Sequence, residues 1–171
     1  MRSPGKTITL AAAFAAAGLI LGYIETIFIL PVNIPGFRIG LANIVSVLSL
    51  YMLGGYYASF IVILRVVTGS VLFGTPVSFA YSICGAVLSL AVMTLLRRTG
   101  LSVYGVSVAG AVSHNIAQIL VALVFVRNVY ILSYIPVLII IGVLSGLIVG
   151  LVSDIIYKRL RKISAFDPEE L

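Results

Sequence analysis

Between Thr7 and Tyr157 this chain is a succession of apolar runs with very few charges inside them. No other feature of the sequence limits the fold as much. In the hydrocarbon core of a bilayer every backbone N–H and C=O must be satisfied within the protein, so such runs become helices. A spanning helix needs about 20 apolar residues at about 1.5 Å of rise each. Gly, Pro and Arg punctuation cuts the chain into six stretches: 7–30, 39–53, 56–73, 77–96, 102–126 and 130–157. The second is short, so it is expected to tilt into the protein or be extended by the loop before it. The expected fold is an all-α membrane protein: six transmembrane helices in a single domain over residues 1–171, ending in a short solvated tail, 163–171.

Composition closes off the other classes. Charged residues are 9% of the chain and hydrophobic residues 61%, against about 25% charged in soluble domains. There are too few charges to coat a water-facing surface, and far too much hydrophobicity for a disordered chain. The first apolar run is too long for a signal-peptide core and reads as a retained span.

The basic residues supply an orientation. With the N-terminus in the cytoplasm, the inner side carries Arg2, Lys6, Arg97, Arg98, Lys158, Arg159, Arg161 and Lys162, and the outer side carries only Arg38 and Arg127. This bias predicts both termini in the cytoplasm and a multi-pass protein of the cell membrane. The net charge of +6 sits at the edges of apolar runs, where it meets the lipid bilayer and not nucleic acid, which requires a basic face on a soluble module.

Polar side chains inside a membrane are costly and need a reason. Arg65 lies midway along the third stretch, in Leu64-Arg65-Val66-Val67-Thr68-Gly69-Ser70. It must face the bundle interior and meet an anion, a carbonyl or water. Either it forms a structural pair with Glu25 or it belongs to a substrate site. Counted from the cytoplasmic face, Glu25 falls about 27 Å along its helix and Arg65 about 14 Å, which argues mildly against the pair. In the fifth stretch His114, Asn115 and Gln118 share a helix face and form a polar patch near mid-membrane, either ligand-facing or structural. Asn43 is a further buried amide. Glu25, Arg38 and the loop between them are expected to close an outward-facing pocket, although Arg38 fits an interfacial anchor equally well. Asp154 and Lys158, four apart, read as an interfacial salt bridge.

Two stripes of small residues recur every fourth position. One is alanine, at Ala11, Ala12, Ala13, Ala15, Ala16 and Ala17; the other is glycine, at Gly142, Gly146 and Gly150. Either suits close helix packing inside one bundle. The alanine face is broader than one partner helix requires and suggests a second protein.

The missing motifs bear on function. No G-x-x-x-x-G-K-[ST] phosphate loop is present, so the chain is not expected to hydrolyse ATP. No carboxylates cluster outside the C-terminal tail to hold Mg²⁺ for phosphoryl or prenyl chemistry, and no Ser-His-acid set is apparent. One His and one Cys, Cys84, give too few ligands for a zinc site. These readings predict a solute-binding protein with no metal and no cofactor, and not an enzyme.

Three segments carry a family resemblance: Gly36-Phe37-Arg38-Ile39-Gly40-Leu41-Ala42-Asn43-Ile44-Val45; Leu64-Arg65-Val66-Val67-Thr68-Gly69-Ser70-Val71-Leu72-Phe73-Gly74; and Gly105-Val106-Ser107-Val108-Ala109-Gly110-Ala111-Val112-Ser113-His114-Asn115-Ile116-Ala117-Gln118. They resemble the Gx transporter family, also labelled heptaprenyl diphosphate synthase component I. That family in turn resembles the substrate-binding S components of energy-coupling factor (ECF) transporters, six-helix proteins with both termini cytoplasmic. The resemblance implies docking on a transmembrane coupling protein through Ala11, Ala12, Ala15 and Ala16, with energy from partner ATPase subunits. Taken with the buried polar groups, the expected function is binding of a small, anionic, partly apolar solute by Arg65, His114, Asn115 and Gln118 between the third and fifth stretches, with Arg38 gating. The synthase label implies the alternative, a non-catalytic accessory or anchor subunit linked to polyprenyl diphosphate synthesis or to flavin- or quinone-linked electron transfer.

Overall fold

The computed structural model describes residues 4–27 and 40–163. Its elements are α1 (Pro4–Ile27), α2 (Leu41–Phe73), α3 (Pro76–Arg97), α4 (Val103–Val126), a 3₁₀ turn (Val129–Tyr134) and α5 (Ile135–Arg161). No strand occurs among the described residues. Five of these segments are long and apolar enough to cross a membrane.

Helix limits follow local chemistry. Thr75 and Ser78 form a reciprocal capping box at the start of α3, with Pro76 in its first turn. Both orphan N–H groups there find a side-chain oxygen, which fixes the entry point. Ser102 caps α4 by accepting from the Gly105 N–H. The sixth stretch, expected from residue 130, starts later. Its first residues form the 3₁₀ turn, and α5 begins at Ile135 with Pro136 in its first turn. A proline stands at the head of a helix because it has no N–H to donate to the preceding turn. The expected limits at Leu30 and Ile39 lie outside the described residues, as does the tail beyond Ile163.

The second and third stretches meet in α2. Gly54 breaks it with φ 84° and ψ 174°, a backbone conformation essentially confined to glycine. Arg97, at the end of α3, supplies donors to the carbonyls just before the break. Its guanidinium donates to the Leu50 and Tyr51 carbonyls and lies 5.1 Å from the Tyr51 ring centroid. Beyond the break, Gly55 abuts Thr94 near the end of α3. Val45 from one side of the break and Arg65 from the other both lie against Gly18 of α1. Phe73, at the end of α2, packs on Tyr23 with ring centroids 4.6 Å apart.

Around this, α4 packs on both α3 and α5, α2 touches α1, α3 and α5, and α1 packs chiefly on α2. The glycine stripe of α5 faces α4. A Cβ placed on Gly146 would sit 2.6 Å from the Val108 Cα, on Gly150 3.0 Å from the Tyr104 Cα, and on Gly142 3.2 Å from the Val112 Cα. Positions 104, 108 and 112 are themselves four apart, so two backbones run against each other over about two turns. At one end of this seam Asp154 binds Lys158 at 2.7 Å, the ion pair expected from the sequence, and also accepts from the Tyr104 hydroxyl at 2.9 Å. The outer surface is a skin of large apolar side chains such as Val71, Val124, Leu95, Phe60 and Ile20. A helix that is hydrophobic all round belongs in lipid or in a protein interior.

The inner face of α1 is Thr7, Ala11, Phe14, Ala15, Gly18 and Glu25, all buried, while Ala12, Ala13 and Ala16 are exposed. Ala11 and Ala15 therefore join the chain's own core, at 8% and 5% exposure. Of the four residues expected to dock, Ala12 and Ala16 are exposed and Ala11 and Ala15 are buried in this chain, the two pairs lying about 100° apart around the helix.

Candidate functional site

A cavity of about 330 Å³ lies inside the bundle. Its walls come from α1 (Gly18, Gly22, Tyr23, Glu25), from both sides of the α2 break (Asn43, then Arg65, Gly69, Ser70), from the head of α3 (Thr75, Ser78, Ser82), from α4 (Ala111, His114, Asn115) and from Ser145 of α5. This exceeds the expected pocket between the third and fifth stretches, because α1 and the first part of α2 contribute a whole wall.

Arg65 reaches the cavity across a glycine. A Cβ on Gly18 would lie 2.7 Å from the Arg65 Cδ, so the Arg stem rests where any other residue of α1 would place a side chain. His114 is seated in the same manner on α3. A Cβ on Gly85 would fall 2.7–2.9 Å from three atoms of the imidazole ring. Gly18 of α1 and Gly85 of α3 thus make room for the Arg65 stem and the His114 imidazole. The Arg65 Nε and His114 Nδ1 atoms are both buried.

Asn115 lines the cavity, but its side-chain amide also donates to the Leu138 carbonyl of α5 at 2.8 Å. It ties α4 to α5 while presenting its remaining surface to the cavity. Glu25 is 6% exposed, and its Oε1 accepts from the Gly40 N–H, just ahead of α2. Gly40 has φ 86°. The start of α2 is internal, since Gly40 lies near Val149 of α5, and Glu25 supplies the acceptor that water would otherwise provide. Asn43 sits in the first turn of α2 with its amide against Gly40.

The structure thus brings Glu25, Asn43, Arg65, His114 and Asn115 together. Gln118, expected on the same face as His114, is buried at 3% exposure but lies outside the cavity lining. One helical turn carries it past the wall. Arg38 lies outside the described residues. Sequence reading missed the hydroxyls Ser70, Ser78, Ser82 and Ser145 and the seating glycines Gly18 and Gly85. The Gly18–Gly22 spacing, four residues apart on one helix face, is a signal that could have marked a thin wall on α1. Among the described residues no three His, Cys, Asp or Glu side chains come together as metal ligands.

Apolar helices enclosing a cavity of mixed polarity define a polytopic membrane protein with an internal polar site. Within that class, the chain belongs to the heptaprenyl diphosphate synthase component I family, whose model matches residues 14–156. The family's name is that of one component of a synthase and implies association with other subunits. No curated protein and no solved structure matches the chain.

Proposed function

We propose that this protein is the substrate-binding membrane subunit of an uptake transporter of the energy-coupling-factor type, working with a transmembrane coupling protein and ATPase subunits. The observation that carries this reading is the internal cavity, with Arg65 and His114 each seated on a glycine. Ionisable groups inside a membrane are rare and costly, and mark substrate or ion pathways, proton relays or ligand counter-ions. Small-molecule sites run to about 300–1,000 Å³, so a cavity of about 330 Å³ suits one compact solute. A long polyprenyl chain would not be enclosed by it.

The reading takes α2 as a hairpin of two spans reversed at Gly54, which makes six spans with both termini in the cytoplasm. It is supported by the shared contact of Val45 and Arg65 with Gly18, and by Arg97 capping the carbonyls ahead of the break. It is supported as well by Lys158, Arg159 and Arg161 in the last turn of α5 and Arg97 in the last turn of α3, in line with a cytoplasmic excess of basic residues. The protein itself does no chemistry on the solute in this reading.

The family name favours a second reading, a non-catalytic membrane subunit beside a polyprenyl diphosphate synthase. Affinity purification of the tagged chain from its native membrane in mild detergent separates the two. Co-elution of a P-loop ATPase with a second membrane protein is the expected result. Co-elution of a prenyl synthase catalytic subunit instead overturns the transporter reading.

A further inference from the structure

A second, much smaller cavity of about 10 Å³ adjoins the first. The two share the lining residues Asn43, Ala111 and Ser145. On α4 the small cavity takes Ser107 and Gly110, which precede His114; on α3 it takes Ser89 and Met93, which follow Gly85. It therefore continues the large cavity toward the end of the bundle that holds Arg97 and Asp154. Four helices meet around it, and each contributes a polar side chain: Asn43 from α2, Ser89 from α3, Ser107 from α4 and Ser145 from α5.

The Ser107 hydroxyl stands out among these. Hydroxyls inside a helix commonly bond to their own backbone, as Ser113 does to the Gly110 carbonyl and Ser49 to the Ser46 carbonyl, both at 3.0 Å. Ser107 is 3% exposed, its Oγ is buried, and that atom has no hydrogen-bond partner among the described residues. A buried hydroxyl left unmet is costly. Ser89, 5% exposed, brings its own hydroxyl across to α4, where a Cβ on Gly110 would lie 3.2 Å from the Ser89 Oγ. Ser145 donates to the Gly142 carbonyl at 3.3 Å and keeps its lone pairs for another donor.

Size and charge define what these groups can bind. About 10–15 Å³ for the centre of a water-sized sphere is room for one water, which needs two to four polar partners. No charged side chain is among the described lining residues, so an ion here would lack a counter-charge and cost far more than a neutral molecule.

We propose that this small cavity is a binding site for a single water molecule, shared by Ser107, Ser89, Ser145 and Asn43, which joins four helices beside the larger cavity. The site stands on these four helices alone and does not depend on the transporter reading.

The test compares melting of the intact protein in mild detergent with Ser107→Ala, Ser89→Ala and the double variant, each in sodium and in choline chloride. Neither serine lines the larger cavity. Each single variant is expected to melt about 2–4 °C lower, the loss of one hydrogen bond. The double variant is expected to fall by less than the sum, because the two hydroxyls hold one water. All four proteins are expected to melt alike in the two salts. Ser107→Ala melting at or above wild type overturns the proposal, since removing a hydroxyl that no water meets relieves a cost. Additive losses overturn the shared water. A gain in sodium that Ser107→Ala abolishes makes the ligand a cation and overturns it as well. An experimental map of the wild-type chain gives the direct check: density within hydrogen-bond distance of the Ser107 Oγ and a second of the four groups is expected, and a dry cavity overturns the site.

Discussion

The glycine stripe of α5 and the alanine stripe of α1 carry the same sequence signal, small residues four apart, yet the fold treats them differently. Gly142, Gly146 and Gly150 are all buried, backbone against backbone on α4. Ala11 and Ala15 are buried too, but Ala12, Ala13 and Ala16 are left on an exposed face. The glycine stripe is one line on one helix face, and one neighbour covers it. The alanine tract runs around the helix, so one neighbour covers only part of it. Small-residue spacing thus measures how closely another helix can approach; it does not say whether that helix belongs to the same chain.

The contrast can be broken most severely at its tightest point. Gly146→Ala puts a methyl 2.6 Å from the Val108 Cα, where neither backbone can give way. It should lower stability by about 1–3 kcal/mol, seen as a lower melting temperature and loss of a monodisperse peak in detergent. Gly142→Ala, with its nearest backbone atom at 3.2 Å, should cost less, and the reverse order would mean that the α4–α5 seam does not set stability.

On α1 two adjacent alanines sharpen the comparison. Ala15→Leu overpacks the core and should destabilise by a similar amount, about 1–3 kcal/mol. Ala16→Leu, next to it on the exposed face, should stay within about 0.5 kcal/mol of wild type and instead weaken co-purification of partner subunits. Equal melting temperatures for the two variants would contradict the burial pattern of α1.

The smallest stability effect joined to a clear functional one is expected at Gly85. The three atoms its Cβ would meet first all belong to the His114 ring, a side chain and not backbone. Gly85→Ala should therefore melt close to wild type while retaining less bound solute after purification. Full retention would remove His114 from the site.

Much of the helical content was legible because it follows from local rules. An apolar run between Pro, Gly and Arg becomes a helix wherever water is excluded, and the capping oxygens of Thr75 and Ser102 can be read directly from the sequence. The site was legible in part for a related reason: Arg65, His114, Asn115, Asn43 and Glu25 are costly in an apolar setting, so their presence alone marked them. Gln118 shows the limit. It shares the helical register of His114 but not its wall, since register fixes the direction around one helix and not what stands opposite. The serines of the cavity gave no signal, because a hydroxyl inside a helix can bond to its own backbone, as Ser113 does to the Gly110 carbonyl at 3.0 Å.

By itself, then, the amino-acid sequence determined the solvent this protein lives in, its helical secondary structure and the few polar groups that must be accounted for. Burying apolar surface and satisfying backbone hydrogen bonds are constraints that each segment meets largely alone. The tertiary structure alone decided that Gly18 and Gly85 make room for Arg65 and His114, that Arg97 completes the chain break at Gly54, and that Glu25 turns toward Gly40 at the start of α2. Those are contacts between elements far apart in the chain. They depend on how close two helices come, a distance that no single helix encodes.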